Sequence, residues 1–221
     1  MSKSAAPETR ESISENTTGR LSVYLRCLTY LEQAGEQTIS SQELADRFHL
    51  NSAQIRKDLA CFGEFGTRGV GYNVSRLKEQ LVHTLGIDRK RNVLIVGAGN
   101  LGMALADYQG FNHSGFEIVA LVDRDPDKVG RASRSGIPVL AYDRLETIVR
   151  ENAVEIGVIA VNAEGAQDVH DALVGAGVNA VLNFAPVQLK THERVKVRTV
   201  DLRINLESLS FFLKNVEDGT F

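Results

Sequence analysis

The chain has 221 residues, 43% of them hydrophobic, which is room for one large or two small domains with a real core. Its formal charge of −3 does not by itself announce a nucleic-acid binder. Two cysteines, Cys27 and Cys61, without C-x-x-C or ligand spacing, argue against a disulfide framework and fit free thiols in a reducing compartment. No apolar run reaches the length of a membrane span. Met1 to Thr18 is polar and lacks the apolar core of a signal peptide. The expectation is a cytoplasmic protein with a disordered tail over 1–18 and no membrane partner.

A small helical head follows, over 19–86. Leu21, Tyr24, Leu25, Leu28 and Leu31 recur at helical spacing, which predicts a helix from about Arg20 to Ala34 stopped by Gly35. Ser40 and Glu43 fit a capping box that opens a short helix with Leu44, Ala45 and Phe48 inward. After His49-Leu50-Asn51 a third helix starts at about Ser52, with Ile55, Leu59 and Phe62 as its apolar stripe and Gln54, Arg56, Lys57 and Asp58 on its other face. Two short helices joined by a tight turn, the second presenting amide and basic side chains, form a helix-turn-helix pattern. Gly63, Gly66, Gly69 and Gly71 punctuate Phe65, Val70, Tyr72 and Val74, which predicts a hairpin around Thr67-Arg68-Gly69 and so a winged helix. Ser75 then caps a closing helix with Leu77, Leu81 and Leu85 inward and Gly86 as its stop.

Between 47 and 78 the basic residues Arg47, Arg56, Lys57, Arg68, Arg76 and Lys78 face only Asp58 and Glu64, a local positive excess. An ordinary solvated helix face would also carry Arg56 and Lys57, but the turn before them and Arg68 at a glycine-framed tip favour DNA. Gln54, Arg56 and Lys57 then face the major groove, Arg68 with Gly69 and Tyr72 forms the wing contact, and Ser40 and Ser41 hold phosphate.

Beyond a polar linker at 87–91, strands and helices alternate over 92–201, which predicts a doubly wound α/β sheet. Its first strand, Val93 to Val96, runs into Gly97-Ala98-Gly99-Asn100-Leu101-Gly102, a G-x-G-x-x-G turn opening a helix. Gly97 would make the turn, Gly99 would admit a pyrophosphate to the backbone, and Gly102 would let helix and strand pack closely. The phosphates would sit at the helix N-terminus. A second apolar run ends in Asp123, twenty-one residues after Gly102, near the spacing of a ribose-binding carboxylate. That carboxylate favours NAD over NADP or coenzyme A, although the guanidinium of Arg124 beside it could tolerate a phosphate. Val161-Asn162-Ala163 and Asn183-Phe184-Ala185-Pro186 end later strands, where they either border the nucleotide or serve as ordinary loops.

A dehydrogenase needs a substrate pocket and a proton donor, and almost nothing follows the last strand except one helix. The histidines 49, 83, 113, 170 and 192 show no catalytic or metal spacing, and His113 reads as a loop residue. The dinucleotide is expected to be sensed rather than consumed. An oxidoreductase and a coenzyme A-binding Rossmann protein remain the alternatives. Over 202–221, Leu202, Leu206, Leu209, Leu213 and Val216 step by four and three beside Phe212. Such a helix packs on its own sheet or seals a partner, and a winged helix that reads an inverted repeat favours the partner, hence a homodimer.

These pieces together resemble the Rex family of redox-sensing transcriptional repressors along essentially the whole chain after the tail. The resemblance rests on Arg20-Leu21, Tyr24-Leu25-Arg26, Ser40-Ser41, Gln54 to Leu59, Phe62-Gly63, Gly66 to Tyr72, the glycine turn, Ala106-Asp107-Tyr108, Asn183 to Pro186 and Val200-Asp201. It implies a homodimer with swapped C-terminal helices that binds double-stranded inverted-repeat operator DNA. It further implies release by NADH and response to the NADH/NAD+ ratio. It also points to Tyr108 and Asp201 near the nicotinamide, with Arg20 as a relay to the head. Ala60-Cys61 departs from the Ser-Tyr pair usual in the family at this point, which leaves a direct thiol response at Cys61 open.

Overall fold

The computed structural model describes residues 15–63, 65–67, 69–112 and 115–218. Residues 1–14 of the expected tail, Glu64, Arg68, His113 and the last three residues of the expected terminal helix lie outside the described residues. The chain divides into two compact units, with the boundary between Arg89 and Lys90.

The first unit runs α1 (Glu15–Gln33), β1 (Thr38–Ile39), α2 (Ser41–Phe48), α3 (Ser52–Ala60), β2 (Gly66–Thr67), β3 (Gly71–Asn73) and α4 (Val74–Thr84). Helix α1 starts inside the expected tail, at Glu15 rather than after Thr18, because a helix nucleated by the buried Leu21 and Tyr24 extends by a turn at little cost. At α2 the capping box is complete: Ser40 Oγ accepts from the Glu43 N–H at 3.1 Å, and Glu43 Oε2 accepts from the Ser40 N–H at 2.8 Å. The cap of α4 is Asn73, not Ser75. Asn73 ends β3 in the extended conformation an N-cap requires and accepts from the Arg76 N–H at 2.9 Å, whereas Ser75 is already inside the helix. Strand β3 lies between β1 and β2 in an antiparallel sheet, with Ile39 opposite Tyr72 and Thr67 opposite Gly71. Leu21, Leu28 and Leu31 of α1, Leu44, Ile55 and Leu59 of the next two helices, and Leu77 and Leu81 of α4 make its core.

The second unit runs β4 (Arg91–Val96), α5 (Asn100–Ala106), α6 (Gln109–Asn112), β5 (Phe116–Asp123), β6 (Val139–Ala141), a 3-10 turn at Tyr142–Arg144, α7 (Leu145–Glu151), β7 (Ile156–Ile159), α8 (Ala163–Gly175), β8 (Ala180–Asn183), β9 (Lys196–Thr199) and α9 (Leu202–Glu217). The six strands are all parallel, in the order β6-β5-β4-β7-β8-β9. Counted within this unit that is 3-2-1-4-5-6, the dinucleotide-binding order, with its reversal between β4 and β7. The unbroken apolar run of β4 follows from burial on both faces. Leu94 and Val96 face α7 and α8, while Val93 and Ile95 join the opposite core with Ala98 and Ala106. Arg91 is the first residue of β4, its N–H donating to the Gly115 carbonyl at 2.8 Å, which shortens the expected linker. Helix α9 buries none of its residues against its own chain.

Candidate functional site

In the first unit, α2, α3 and the β2–β3 hairpin enclose an open cleft of about 1300 Å³. Ser40, Ser41, Arg56, Gly69 and Tyr72 line it together, with Thr67 and the exposed Val70 at the hairpin. Arg56 Nη1 donates to Ser41 Oγ at 2.9 Å, so a basic side chain and a hydroxyl converge on one point of the cleft. Ser40 is different, because its hydroxyl is committed to the α2 cap. Burial pushes the Tyr72 hydroxyl pKa up, and Arg56 opposes that shift. Lys57 and Gln54 do not line the cleft, and Lys57 is exposed. This surface offers donors and positive charge to a phosphate backbone beside a helix able to enter a groove.

Asp58 does not share the outer face of α3. It is 2% exposed, because it falls on the apolar stripe three residues after Ile55. Arg20 Nε donates to its Oδ2 at 2.6 Å and Arg20 Nη2 to its Oδ1 at 2.8 Å. The Tyr24 hydroxyl donates to Oδ2 at 2.9 Å and Gln54 Nε2 to Oδ1 at 2.8 Å. The Arg20 guanidinium above all, and then the Gln54 and Tyr24 donors, hold the Asp58 carboxyl below the usual range despite its burial. Arg20 is thus paired within the first unit. The i, i+3 spacing from Ile55 is the signal that could have placed Asp58 inward.

In the second unit, the carboxyl ends of β4, β5 and β7 open onto a cleft of about 390 Å³ lined by Val96, Gly97, Val122, Asp123, Arg124, Tyr142, Val161, Asn162, Gly165 and Val169. A neighbouring groove is lined by Asp123, Arg124, Pro126, Val129, Ala141, Tyr142 and Asp143. Gly97 has φ +106°, and a Cβ there would collide with the Ala160 carbonyl oxygen, so the turn needs glycine. A Cβ on Gly102 would collide with the Gly97 carbonyl oxygen. At Gly99 nothing lies within 4 Å, so the backbone there faces open space. That is the pattern a pyrophosphate cradle requires, and the residues present fit a dinucleotide.

Asp123 is joined to that turn directly. Its Oδ2 accepts from the Ala98 N–H at 2.7 Å and from Lys128 Nζ at 3.1 Å, and its Oδ1 from the Asp125 N–H at 2.9 Å. Burial works to raise its pKa, but the N–H donors of Asp125 and Ala98 and the Lys128 ammonium outweigh it, and the carboxylate stays below its usual value. The Arg124 guanidinium lies over the Tyr142 ring at 4.4 Å from its centroid. Sequence spacing does not reveal Tyr142, Gly165 or Lys128, because each stands on an element with no fixed offset from the glycine turn.

Other expected cofactor residues stand apart from this cleft. Asn100 and Leu101 point outward on α5. Asn183 is fully buried, and its Nδ2 donates to the carbonyls of Ala185 and Val187, each at 3.0 Å, while its Oδ1 accepts from the Ala185 N–H at 2.9 Å. It shapes its own loop, in which Ala185 is buried, Phe184 half-buried and Pro186 exposed. Tyr108 is exposed with its ring edge-on to Phe111, and Asp201 caps α9 by accepting from the Arg203 N–H at 2.9 Å. Among the described residues no cluster of three potential metal ligands occurs, and no helix is long and apolar enough to cross a membrane.

A family model described as a putative DNA-binding protein N-terminus matches residues 12–60, and one described as a CoA binding domain matches residues 88–187. The chain is 52% identical over 202 residues to the redox-sensing transcriptional repressor Rex of Carboxydothermus hydrogenoformans, covering 91% of this chain and 97% of that one. It is 50% identical over 206 residues to the protein of the same name from Streptomyces coelicolor, covering 93% and 80%. Among solved structures it is similar to RSP, a Rex-family repressor, in complex with β-NAD+ and operator DNA, with a TM-score of 0.88 and 36% identity over 94% of this chain and 95% of that one. RSP in complex with β-NADH gives 0.83 and 35% over 94% and 97%. A winged head, a 3-2-1-4-5-6 sheet with an open glycine cradle and these relatives lead to one conclusion: the chain belongs to the Rex family of redox-sensing transcriptional repressors.

Proposed function

We propose that this chain is a cytoplasmic homodimeric repressor that binds inverted-repeat operator DNA and is released by NADH, so that it reports the NADH/NAD+ ratio. The observation that carries the reading is the pairing, in one chain, of a cleft between α3 and the wing where Arg56 and Ser41 converge with a sheet whose glycine turn is tied to Asp123. Arg56, Lys57, Ser41 and the wing residues Arg68, Gly69 and Tyr72 contact DNA, with Gln54 reading a base. Ser40 acts through the α2 cap that presents Ser41. Gly97 to Gly102, Asp123, Arg124, Val161 and Asn162 hold the dinucleotide. Tyr108 and Asp201 stand near the nicotinamide, Asn183 to Pro186 shape that end of the pocket, and Arg20 relays the state of the pocket to the head.

The switch follows from linkage. When the dinucleotide and the operator prefer different arrangements of the dimer, each weakens the other. An apolar pocket resists the charged ring of NAD+ more than the neutral ring of NADH, so the reduced form moves the equilibrium further. Coenzyme A is the competing occupant, on the description of the matched model over 88–187. The test is a titration of the full chain on a duplex it selects from a random library, with NADH, NAD+ and coenzyme A in separate arms. NADH is expected to displace the duplex well before NAD+, and coenzyme A to have no effect. Equal effects of NADH and NAD+ at equal saturation would sink the sensor reading.

A further inference from the structure

We propose that Asp58 is a positioning residue for base readout: it fixes the amide of Gln54 and anchors α3 to α1 through Arg20 and Tyr24. The inference rests on the reading that α3 enters the major groove. Asp58 occupies a stripe position where an aliphatic side chain would pack, and a carboxylate buried there without partners would be strongly unfavourable. Instead it is saturated. An ionised carboxylate offers about four acceptor sites, and Arg20 fills two, Tyr24 one and Gln54 one.

The Gln54 bond carries the consequence. A primary amide can place either its oxygen or its nitrogen toward a neighbour, but only the nitrogen can face a carboxylate. Gln54 stands one turn before Asp58, half-buried, with Nε2 held at 2.8 Å from Oδ1. Its second amide hydrogen and its Oε1 therefore remain in a fixed order. Reading adenine takes a donor and an acceptor in one defined order, so a flipped or swinging amide would lose the base. Arg20 and Tyr24, one turn apart on α1, hold the carboxylate from the other side and keep it charged and oriented. Asp58 itself lies too deep to meet DNA.

The experiment uses the full chain and a duplex it selects from a random-sequence library, followed by every single base-pair change across one half-site. Gln54→Ala is expected to lose about ten- to a hundredfold discrimination at one position. Asp58→Asn removes the charge and one of the two acceptor oxygens, so one oxygen can no longer meet the four donors of Arg20, Tyr24 and Gln54, and it is expected to flatten discrimination at that same position. The double variant should lose no more there than Gln54→Ala alone. Should Asp58→Asn fail to fold, Arg20→Lys decides, since it keeps the charge but loses the two-pronged grip, and a partial loss confined to that position is expected. A uniform loss over all positions, or additive losses in the double variant, overturns the role of Asp58 while leaving DNA recognition standing. A selection that enriches no sequence overturns both.

Discussion

Asp123 and Asp58 are both partly or wholly buried carboxylates held below their usual pKa, yet they perform opposite tasks. Asp123 is tied to the Ala98 N–H inside the glycine turn, and its Oδ1, which accepts from the Asp125 N–H, has capacity left for the ribose hydroxyl of the proposed dinucleotide. Asp123→Ala is expected to weaken NADH by about 1.5–3 kcal/mol, the worth of a charge-assisted hydrogen bond. Fluorescence titration should show that loss with duplex binding retained; loss of both would mean a misfolded variant. Asp58 spends all its acceptors inward, so besides fixing the Gln54 amide it contributes to stability. Its folded pKa is depressed, so its contribution is complete above the unfolded value of about 3.9 and is lost as pH falls through the lower folded value. Thermal melts of the wild type should therefore lose stability on acidification below about pH 4, while Asp58→Asn, less stable at neutral pH, should change less over the same range. Parallel melting curves for the two proteins would remove the ion pair as the cause.

Around the glycine turn, β4 and α5 separate structural from functional demands one residue at a time. Gly102→Ala drives a methyl into the Gly97 carbonyl, so it should lower the melting temperature of the second unit. Gly99→Ala meets nothing within 4 Å and has an ordinary negative φ, so the fold should tolerate it while the pyrophosphate loses its approach. Circular dichroism melts paired with NADH titration distinguish the two, and an unchanged NADH affinity in Gly99→Ala would take the cradle away from Gly99. This turn was legible because three glycines at that spacing, placed between an apolar run and a helical pattern, leave the chain little else to build. The capping box at Ser40 and Glu43 and the sheet's alternation were legible for the same reason, since each follows a local rule. What escaped was set by distant partners. β1 has two residues and exists only because β3 pairs with it. Asn73 caps α4 because the strand delivers it in the extended conformation. Asp58 reads as surface until Arg20 and Tyr24, more than thirty residues away, supply its partners.

Helix α9 is the element through which the proposed homodimer would form. Leu202, Leu206, Leu209, Leu213 and Val216 are each at least half exposed on a helix that buries nothing against its own chain. An apolar face of that extent is unfavourable in water, and in the proposed homodimer a second copy of the same helix would cover it with matching chemistry. Leu206→Asp combined with Leu213→Asp is expected to give a monomer by sedimentation. A monomer bridges one half-site only, so its affinity for the selected duplex should fall toward that for unrelated DNA. The second unit keeps its sheet and glycine turn, so NADH binding should persist. The sharper consequence concerns coupling. In the wild type, the factor by which NADH weakens the duplex must equal the factor by which the duplex weakens NADH. If that factor arises from the spacing of two recognition helices in the dimer, the monomer has no spacing to change. Its residual DNA binding should then ignore NADH even at saturation. A monomer whose DNA binding still responds to NADH would locate the switch within a single chain, between its cleft and its own winged head, and would leave α9 with assembly alone.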